Sequence, residues 1–469
     1  MIVSKLVKIA TEDFEKKMAE FGQNWNIQEL TAELAEQVRV GLQESFSHAC
    51  RKAYKSFLEH YDPQETLIEW QGRTLRFKAI STKTLLTSFG KIPIERNLYQ
   101  ADRGGPSCVP LDHFWDMNGH FATEDIRQAV CFAMAHMTAE ETEQLLQLCS
   151  LFKPSATAIK NIIEKVSQEI EPHQKALDTK VGSHIKPPEQ TQVMVASMDG
   201  ANVLLREQGA RRGRPSERPR KEQAEQKQAC YKNAMVGAIS FYGAIQNDKK
   251  GPERLNSYYS ARMPEDRAVT FKQNFEQQLD VLQAKLGPDI TKVFLCDGHR
   301  ALWNYADHNE RFDGYEKLVD FYHTQEHLSK VSEALFGKNS MDGKRWYSKY
   351  RTKLLELEAG SESVLRSIDY YSRTQHLSKS RQKDLSTEWT FFRRNQHRMR
   401  YACFRHRGLP IGSGPVEAAC KSIVKTRLCR SGMRWSRKGG QRIINLRCYV
   451  KSGLWNEFWD AYKNLRQSA

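Results

Sequence analysis

The sequence predicts an α/β protein: a mixed-sheet core interrupted by an α-helical insertion, preceded by a mainly helical N-terminal region with a small β element. Three observations lead there. Before residue 190, apolar residues recur at spacings of three and four, as on amphipathic helices, except for an interval of alternation between Thr66 and Tyr99. After 190, short apolar runs end in Asp-Gly and are followed by helical patterns, the grammar of an open sheet containing parallel strands. Between about 325 and 400 the composition is helical again. The stretch from Asp297 to Glu417 is therefore too long for a bare sheet-to-helix connection.

Region 1–65 is read as helical over about 10–60, with Leu30, Leu34, Val38, Leu42 and Phe46 on one face. Region 66–122 carries TLIEWQGRTLRFKAI, with Gln71-Gly72 as a turn, and then IPIERNLYQ as a further strand. Region 123–190 is helical. Within it LCSLFKPSATAIKNIIEKVSQEI reads as helix, break, helix, Pro154 and Ser155 starting a segment with Ile159, Ile162, Ile163 and Val166 on one face. That element is either a DNA-reading helix-turn-helix or a plain helical hairpin.

Region 191–324 opens the core. QVMVASMD is a strand ending at Asp199-Gly200, and NAMVGAISFYG (233–243) and SYYSARM (257–263) are further strands. A helix is expected from Glu265 to Leu286. TKVFLCDG (291–298) is a buried strand, and KLVDFYH (317–323) is strand-like, ending near Asp320 and His323. Region 325–400 is the helical insertion, and 401–469 completes the core with a basic C-terminal stretch.

The 72 Lys and Arg against 56 Asp and Glu leave a formal charge of +16, which points to a polyanionic partner, nucleic acid first. The excess is concentrated: from Arg393 to Lys451 there are sixteen Lys and Arg and one acid, Glu417. Glu417 lies in IGSGPVEAACKSIVKTRL, where Gly412, Ser413 and Gly414 read as a flexible lead-in and Pro415 suits the first turn of a helix. A lone acid in such company pairs with a neighbouring cation, favours the helix dipole, or holds a metal beside phosphates. No stretch approaches the ~18 unbroken apolar residues of a membrane span. MIVSKLVKIATEDFEKK puts acids where a signal peptide needs its apolar segment, so a cytosolic protein without membrane contact is expected. Ten cysteines without paired spacing predict no disulfide framework, and Cys403-Phe-Arg-His406 is half a zinc site without a second half.

Asp199 and Asp297 at strand ends and Glu417 on a later helix are the residue types of two-metal phosphoryl transfer. There two Mg²⁺ or Mn²⁺ ions about 3.5–4 Å apart activate water or a 3′-hydroxyl and stabilise the leaving oxygen. Hard cations take oxygen ligands, so carboxylates suit them. For a single Asp-Gly, a turn or helix cap is the simpler reading. Two groups of residues are DNA-binding candidates. Arg211, Arg212, Arg214 and Arg218 lie in REQGARRGRPSERPRKEQAEQKQ (206–228), a charged loop expected to order on DNA. Its Arg212-Gly213-Arg214-Pro215 either enters A·T minor grooves like an AT-hook or clamps phosphates. Lys421, Lys425, Arg427, Arg430 and Arg434 accompany Trp435, which either stacks on an unpaired end base or packs in the core. Trp303, Trp455 and Trp459 are read as core.

Seven ordered stretches carry a resemblance: MDGANV at Asp199, SARMPED (260–266), DGHRALW at Asp297, DFYHTQEHL from Asp320, IGSGPVEAACK around Glu417, SGMRWSRKGGQRIINLR (431–447) and SGLWNEFW (452–459). From about 190 to 460 the chain resembles DDE transposases of the Kra-type insertion-sequence family (ISKra). The resemblance implies an RNase H-like mixed-sheet catalytic core in which Asp199, Asp297 and Glu417 are catalytic and hold two Mg²⁺ or Mn²⁺ ions per active site. It implies a DNA transposase that binds terminal inverted repeats, hydrolyses phosphodiesters and transfers strands into target DNA. A homodimer or higher assembly on double-stranded DNA would do so, in a prokaryotic cytoplasm and nucleoid-associated when bound. Asp320-Phe-Tyr-His323 looks like the D-x-x-H signature of related transposases with such insertions. There it lies near the active site; a structural closure of the strand is the other reading. Relatives of this broad type carry cysteine pairs before a P-L-D-like segment, whereas Pro110-Leu111-Asp112 here follows only Cys108, so a zinc ribbon is not expected. Two alternatives remain open: a transposase-derived DNA-binding protein without catalysis, and an RNase H-like structure-specific nuclease.

Overall fold

The computed structural model describes residues 2–23, 31–101, 105–149, 153–206, 230–246 and 251–467. They divide into two compact units, Met1–Gln174 with Trp459–Ala469, and Lys175–Phe458.

The first unit begins with two helices where the sequence reads as one helical stretch, α1 (Ile2–Gly22) and α2 (Ala32–His60). Thr31 caps α2 by accepting the Leu34 N–H at 3.1 Å, which satisfies one of the orphan donors at a helix start. An antiparallel sheet follows in sequential order: β1 (Leu67–Trp70), β2 (Arg73–Thr87), β3 (Gly90–Gln100) and β4 (Ser107–Cys108). Gln71 and Gly72 both have positive φ (47° and 73°), the conformation that a two-residue type I′ hairpin requires. Then come α3 (Pro110–Phe114), α4 (Glu124–His136), α5 (Ala139–Cys149) and α6 (Ala156–Ile170). Ser155 caps α6 through the Ala158 N–H, and Ile159, Ile162, Ile163 and Val166 are all buried. Each such side chain contributes roughly 1.5–3 kcal/mol.

The second unit starts at α7 (Gln174–His184) and is built on one five-stranded sheet. Its strands are β5 (Val193–Leu205), β6 (Cys230–Ile245), β7 (Pro252–Arg262), β8 (Thr291–Cys296) and β9 (Glu316–Val319), in the order β7-β6-β5-β8-β9. β5–β6 and β6–β7 pair antiparallel, β5–β8 and β8–β9 parallel. The sheet is therefore mixed. α8 (Val269–Gln283) buries Phe271, Phe275, Leu279 and Leu282, and α9 (Arg300–Asp307) follows β8. Four long helices follow β9: α10 (Phe321–Phe336), α11 (Met341–Glu356), α12 (Gly360–Thr374) and α13 (Lys379–Asn395). After α14 (Tyr401–His406), α15 (Gly414–Ala419) passes through a π-helical turn, Cys420–Lys425, into α16 (Thr426–Leu428). α17 (Arg437–Lys451) and α18 (Trp455–Gln467) complete the chain.

Three expectations need correction. β5 does not end at Asp199-Gly200 but runs to Leu205, because β6 supplies partners throughout, from Gly200↔Met235 to Leu205↔Cys230. The segment read as a strand over 317–323 is strand only to Val319; Asp320 accepts the His323 N–H at 2.8 Å and so starts a helix instead. The helix expected from Glu265 begins at Val269, since Arg267 and Ala268 adopt left-handed backbone (φ 50° and 52°). Among the described residues, no helix is long and apolar enough to cross a membrane.

Candidate active site

Strand register brings two of the expected acids side by side. β5 and β8 pair in parallel up to Ala196↔Phe294, and continuing that register by three residues sets Asp199 beside Asp297. β8 and β9 pair up to Cys296↔Val319, and one further step sets Asp297 beside Asp320, whose N–H donates to the Cys296 carbonyl at 2.9 Å. Neighbouring strands lie about 4.8 Å apart. The three aspartates thus form a row across the carboxyl edge of the parallel strands, where open sheets of this kind collect ligands. β5 continues past that edge, so Asp199 is mid-strand and still at the rim.

The members of the row differ in surroundings. Asp199 is half-buried; its Oδ1 accepts the Gly200 N–H at 2.6 Å and its Oδ2 the Cys420 thiol at 3.5 Å. Asp297 is half-buried; its Oδ1 accepts the His299 N–H at 2.9 Å, and its carbonyl accepts the Trp303 indole N–H at 2.7 Å. Asp320 is 0% exposed, with Oδ1 taken by the His323 N–H and Oδ2 by the Ser413 N–H.

Glu417 arrives from the far side of the insertion, in the first turn of α15. Its N–H reaches the Ser413 carbonyl at 3.2 Å, and the Ser413 hydroxyl donates to its Oε1 at 3.0 Å. His323 Nε2 stands 3.9 Å from the same oxygen. Cys420, one turn on and buried, links this helix to Asp199. Burial, then the Asp199 and Glu417 carboxylates, push its thiol well above the usual range, so it stays a neutral S–H donor.

Among the described residues, none of the Asp199, Asp297 and Glu417 carboxylates lies within ion-pair distance of a Lys or Arg. Among the described residues, then, no neighbouring Lys or Arg accounts for Glu417. Carboxylate oxygens are the donor type that a hard divalent cation takes. Among the described residues no three His, Cys, Asp or Glu side chains close on one point. Mg²⁺, however, takes one or two carboxylates and completes its shell with water and phosphate oxygens, so no single protein cage is required. Asp199, Asp297 and Glu417 are the residues that would hold such ions. Asp320, with both oxygens engaged by backbone N–H groups, is not among them.

The insertion packs against the Asp297 turn. A Cβ on Gly298 would lie 2.2 Å from Phe391 of α13, so only glycine lets that ring approach. Phe391 stacks on His327 (3.5 Å between centroids), and His327 meets the buried Glu388 at 2.6 Å. Trp303 is core, 3% exposed, with the Arg398 guanidinium 4.2 Å from its ring centroid.

Of the DNA-binding candidates, Lys421, Lys425, Arg430 and Arg434 are exposed on the segment that carries Glu417. Arg427 and Trp435 are turned inward. Arg427 is 2% exposed and stands 5.2 Å from the Trp435 ring, while the indole N–H donates to Leu428 and the Trp435 backbone pairs with Leu204 and Arg206. Their expected contact with DNA gives way to packing. Arg211, Arg212, Arg214 and Arg218 lie outside the described residues. The sequence reading missed Ser413, Cys420 and Gly298. The Gly412-Ser413-Gly414 lead-in, expected to be flexible, is pinned through the buried Ser413. A hydroxyl residue placed between glycines and just before a helix was the available signal.

No protein-family model and no curated protein matches the chain. Among solved structures it is similar to a Drosophila P element transposase strand transfer complex, at 12% identity over 71% of this chain and 79% of that chain, with a TM-score of 0.24. A score that low establishes neither a shared fold nor a shared function.

Proposed function

We propose that the chain is a DDE-type DNA transposase that binds the terminal inverted repeats of an insertion sequence, hydrolyses phosphodiesters there and joins the freed ends to target DNA. One observation carries the reading. The β5–β8 register, continued past Ala196↔Phe294, sets Asp199 beside Asp297 just beyond β8, the segment that carries Glu417 reaches Asp199 through Cys420, and none of the three is neutralised by Lys or Arg among the described residues. The sheet supports an RNase H-like core: three strands in antiparallel succession, then two parallel ones on the far side of the first, with only the second strand reversed.

Two Mg²⁺ or Mn²⁺ ions would supply an activated water or 3′-hydroxyl and a stabilised leaving oxygen. The chain's own residues provide the rest. Asp199, Asp297 and Glu417 supply the charge that such ions need beside DNA phosphates. Lys421, Lys425, Arg430 and Arg434 offer cations to the phosphate backbone, which positions DNA without reading its sequence. No covalent protein–DNA intermediate is needed, so no Ser or Tyr nucleophile is invoked. Action at two element ends calls for a dimer or larger assembly.

The test uses labelled double-stranded DNA carrying the flanking element's ends, with Mg²⁺ or Mn²⁺. The wild-type chain is expected to nick at the repeat tips and to form joined product. Asp297→Asn keeps the shape and removes the charge, and is expected to lower both activities by on the order of a thousandfold or more while DNA binding persists. Binding without cleavage in either protein selects the DNA-binding derivative. Cleavage without joining selects a structure-specific nuclease, and cleavage that survives Asp297→Asn overturns the residue assignment.

A further inference from the structure

Asp320 occupies the third place in the aspartate row, yet its carboxylate faces protein. A fully buried carboxylate is costly unless its oxygens are hydrogen-bonded, and here both are. One oxygen starts α10 through the His323 N–H. The other crosses the whole insertion in sequence to take the Ser413 N–H. The Phe321 N–H bonds the Ile411 carbonyl at 2.9 Å, so two bonds tie the same pair of segments. Gly412 lies between them against the Tyr322 ring, where a Cβ would come within 2.8 Å. The junction is itself braced: Tyr401 donates to the Val319 carbonyl at 3.0 Å and meets the Thr324 hydroxyl at 2.7 Å.

Ser413 passes this restraint on. It is 3% exposed and uses every polar group it has: its amide on Asp320, its carbonyl on the Val416 and Glu417 N–H groups, and its hydroxyl on Glu417 Oε1. We propose that Asp320 and Ser413 are positioning residues for Glu417, Asp320 holding the Ser413 amide and the Ser413 hydroxyl fixing the Glu417 carboxylate. The inference rests on Glu417 being a metal-binding acid. Groups that orient a ligand in this way matter because they remove the freedom of a long side chain before the ion arrives. The arrangement explains how an aspartate stays in the row without being a ligand. It also assigns a task to Asp320, the first residue of a motif that sequence alone left undecided.

The test compares Ser413→Ala, Ser413→Thr and Asp320→Asn in the full-length chain. Ser413→Ala removes only the hydroxyl, so its thermal midpoint and DNA affinity are expected to match wild type. Its Mn²⁺ affinity, read by electron paramagnetic resonance without DNA, is expected to fall about tenfold or more, as is single-turnover cleavage. Ser413→Thr is expected to restore both. Asp320→Asn turns an NH₂ toward a backbone donor, and is expected to speed amide exchange at Ser413 and across 414–419. Ser413→Ala with wild-type Mn²⁺ affinity overturns the proposal, as does unchanged exchange in a folded Asp320→Asn. If wild type neither binds Mn²⁺ nor cuts DNA, the transposase reading fails and with it the link to a metal ligand. Faster exchange in Asp320→Asn would still support the Asp320 hold on Ser413.

Discussion

In the first unit, Asp112 takes hydrogen bonds from Arg96 at 2.5 Å and Lys83 at 3.1 Å, Asp116 meets Arg127 and Arg466, and Glu169 is held by His120, Tyr462 and Arg466. In the second unit, Glu417 lies in a stretch far richer in Lys and Arg, yet neither it nor Asp199 nor Asp297 reaches a Lys or Arg side chain among the described residues, and the one imidazole near Glu417, His323, stands 3.9 Å away. The contrast separates two uses of a carboxylate. An acid paired with cations that are themselves mostly buried, as Asp112 is with Arg96 and Lys83, holds its unit together, and removing one partner leaves an uncompensated charge. Acids without a Lys or Arg partner forgo that stabilisation, the kind of trade that functional sites make.

The sharpest way to break that comparison is an isosteric pair. Asp112→Asn leaves Arg96 and Lys83 with no full negative charge in a mostly buried site, and is expected to cost about 3–5 kcal/mol in equilibrium denaturation. Asp199→Asn is expected to leave the unfolding midpoint unchanged or raised. Equal destabilisation by the two would show that Asp199 is a structural acid after all.

A smaller effect tests how the insertion bears on the site. Gly298→Ala drives a methyl into Phe391 beside Asp297, an overpacking of about 1–3 kcal/mol. Cleavage should fall with it, and Phe391→Leu in the same chain should recover part of both losses. A Gly298→Ala protein as stable and active as wild type would mean that α13 yields freely.

Within the basic segment, Arg427→Ala should cost stability through its lost place over Trp435, about 0.5–2 kcal/mol for the cation–π contact alone, without changing the salt dependence of DNA binding. Lys425→Ala should do the reverse, with stability kept within about 0.5 kcal/mol and the slope of log affinity against log salt reduced by ~0.9. Identical salt slopes for the two variants would refute the division into inward and outward cations.

The smallest effect concerns pH. Burial raises the Glu169 carboxyl, but hydrogen bonds from His120 and Tyr462, with the charges of His120 and Arg127, outweigh it and leave it below its ordinary value. A depressed folded value means that the stabilisation is fully present above the unfolded value of ~4.3 and drains as pH falls through the folded one. Glu169→Gln should flatten the acid limb of the stability curve in that window. An unchanged limb would show that those partners do not hold Glu169 in solution.

The candidate residues were legible along the chain. Apolar runs ending in Asp-Gly pointed to Asp199 and Asp297, a gap in the acidic residues pointed to Glu417, and helical composition marked the stretch where α10 to α13 lie. Arg427 and Lys425 looked alike because both are cations in one helical stretch. Two residues apart, they face nearly opposite sides of a helix (about 200° apart at 3.6 residues per turn), and only packing against Trp435 decides which side is inward. Gly412-Ser413-Gly414 looked flexible because glycine favours freedom in the isolated chain. Asp320, far back in the sequence, removes that freedom with one bond to a backbone amide.

By itself, then, the sequence determined what repeats locally: helix and strand periods, helix caps such as Ser155, and which residues carry charge. Tertiary structure alone decided which charges are answered. Asp320 has the same carboxylate as Asp297 and stands in the same row, but backbone N–H groups engage both oxygens of the first and only one of the second. Hydrogen bonds and ion pairs act only over about 3–4 Å. The groups that come that close are chosen by strand register and helix packing between segments that the chain itself keeps far apart.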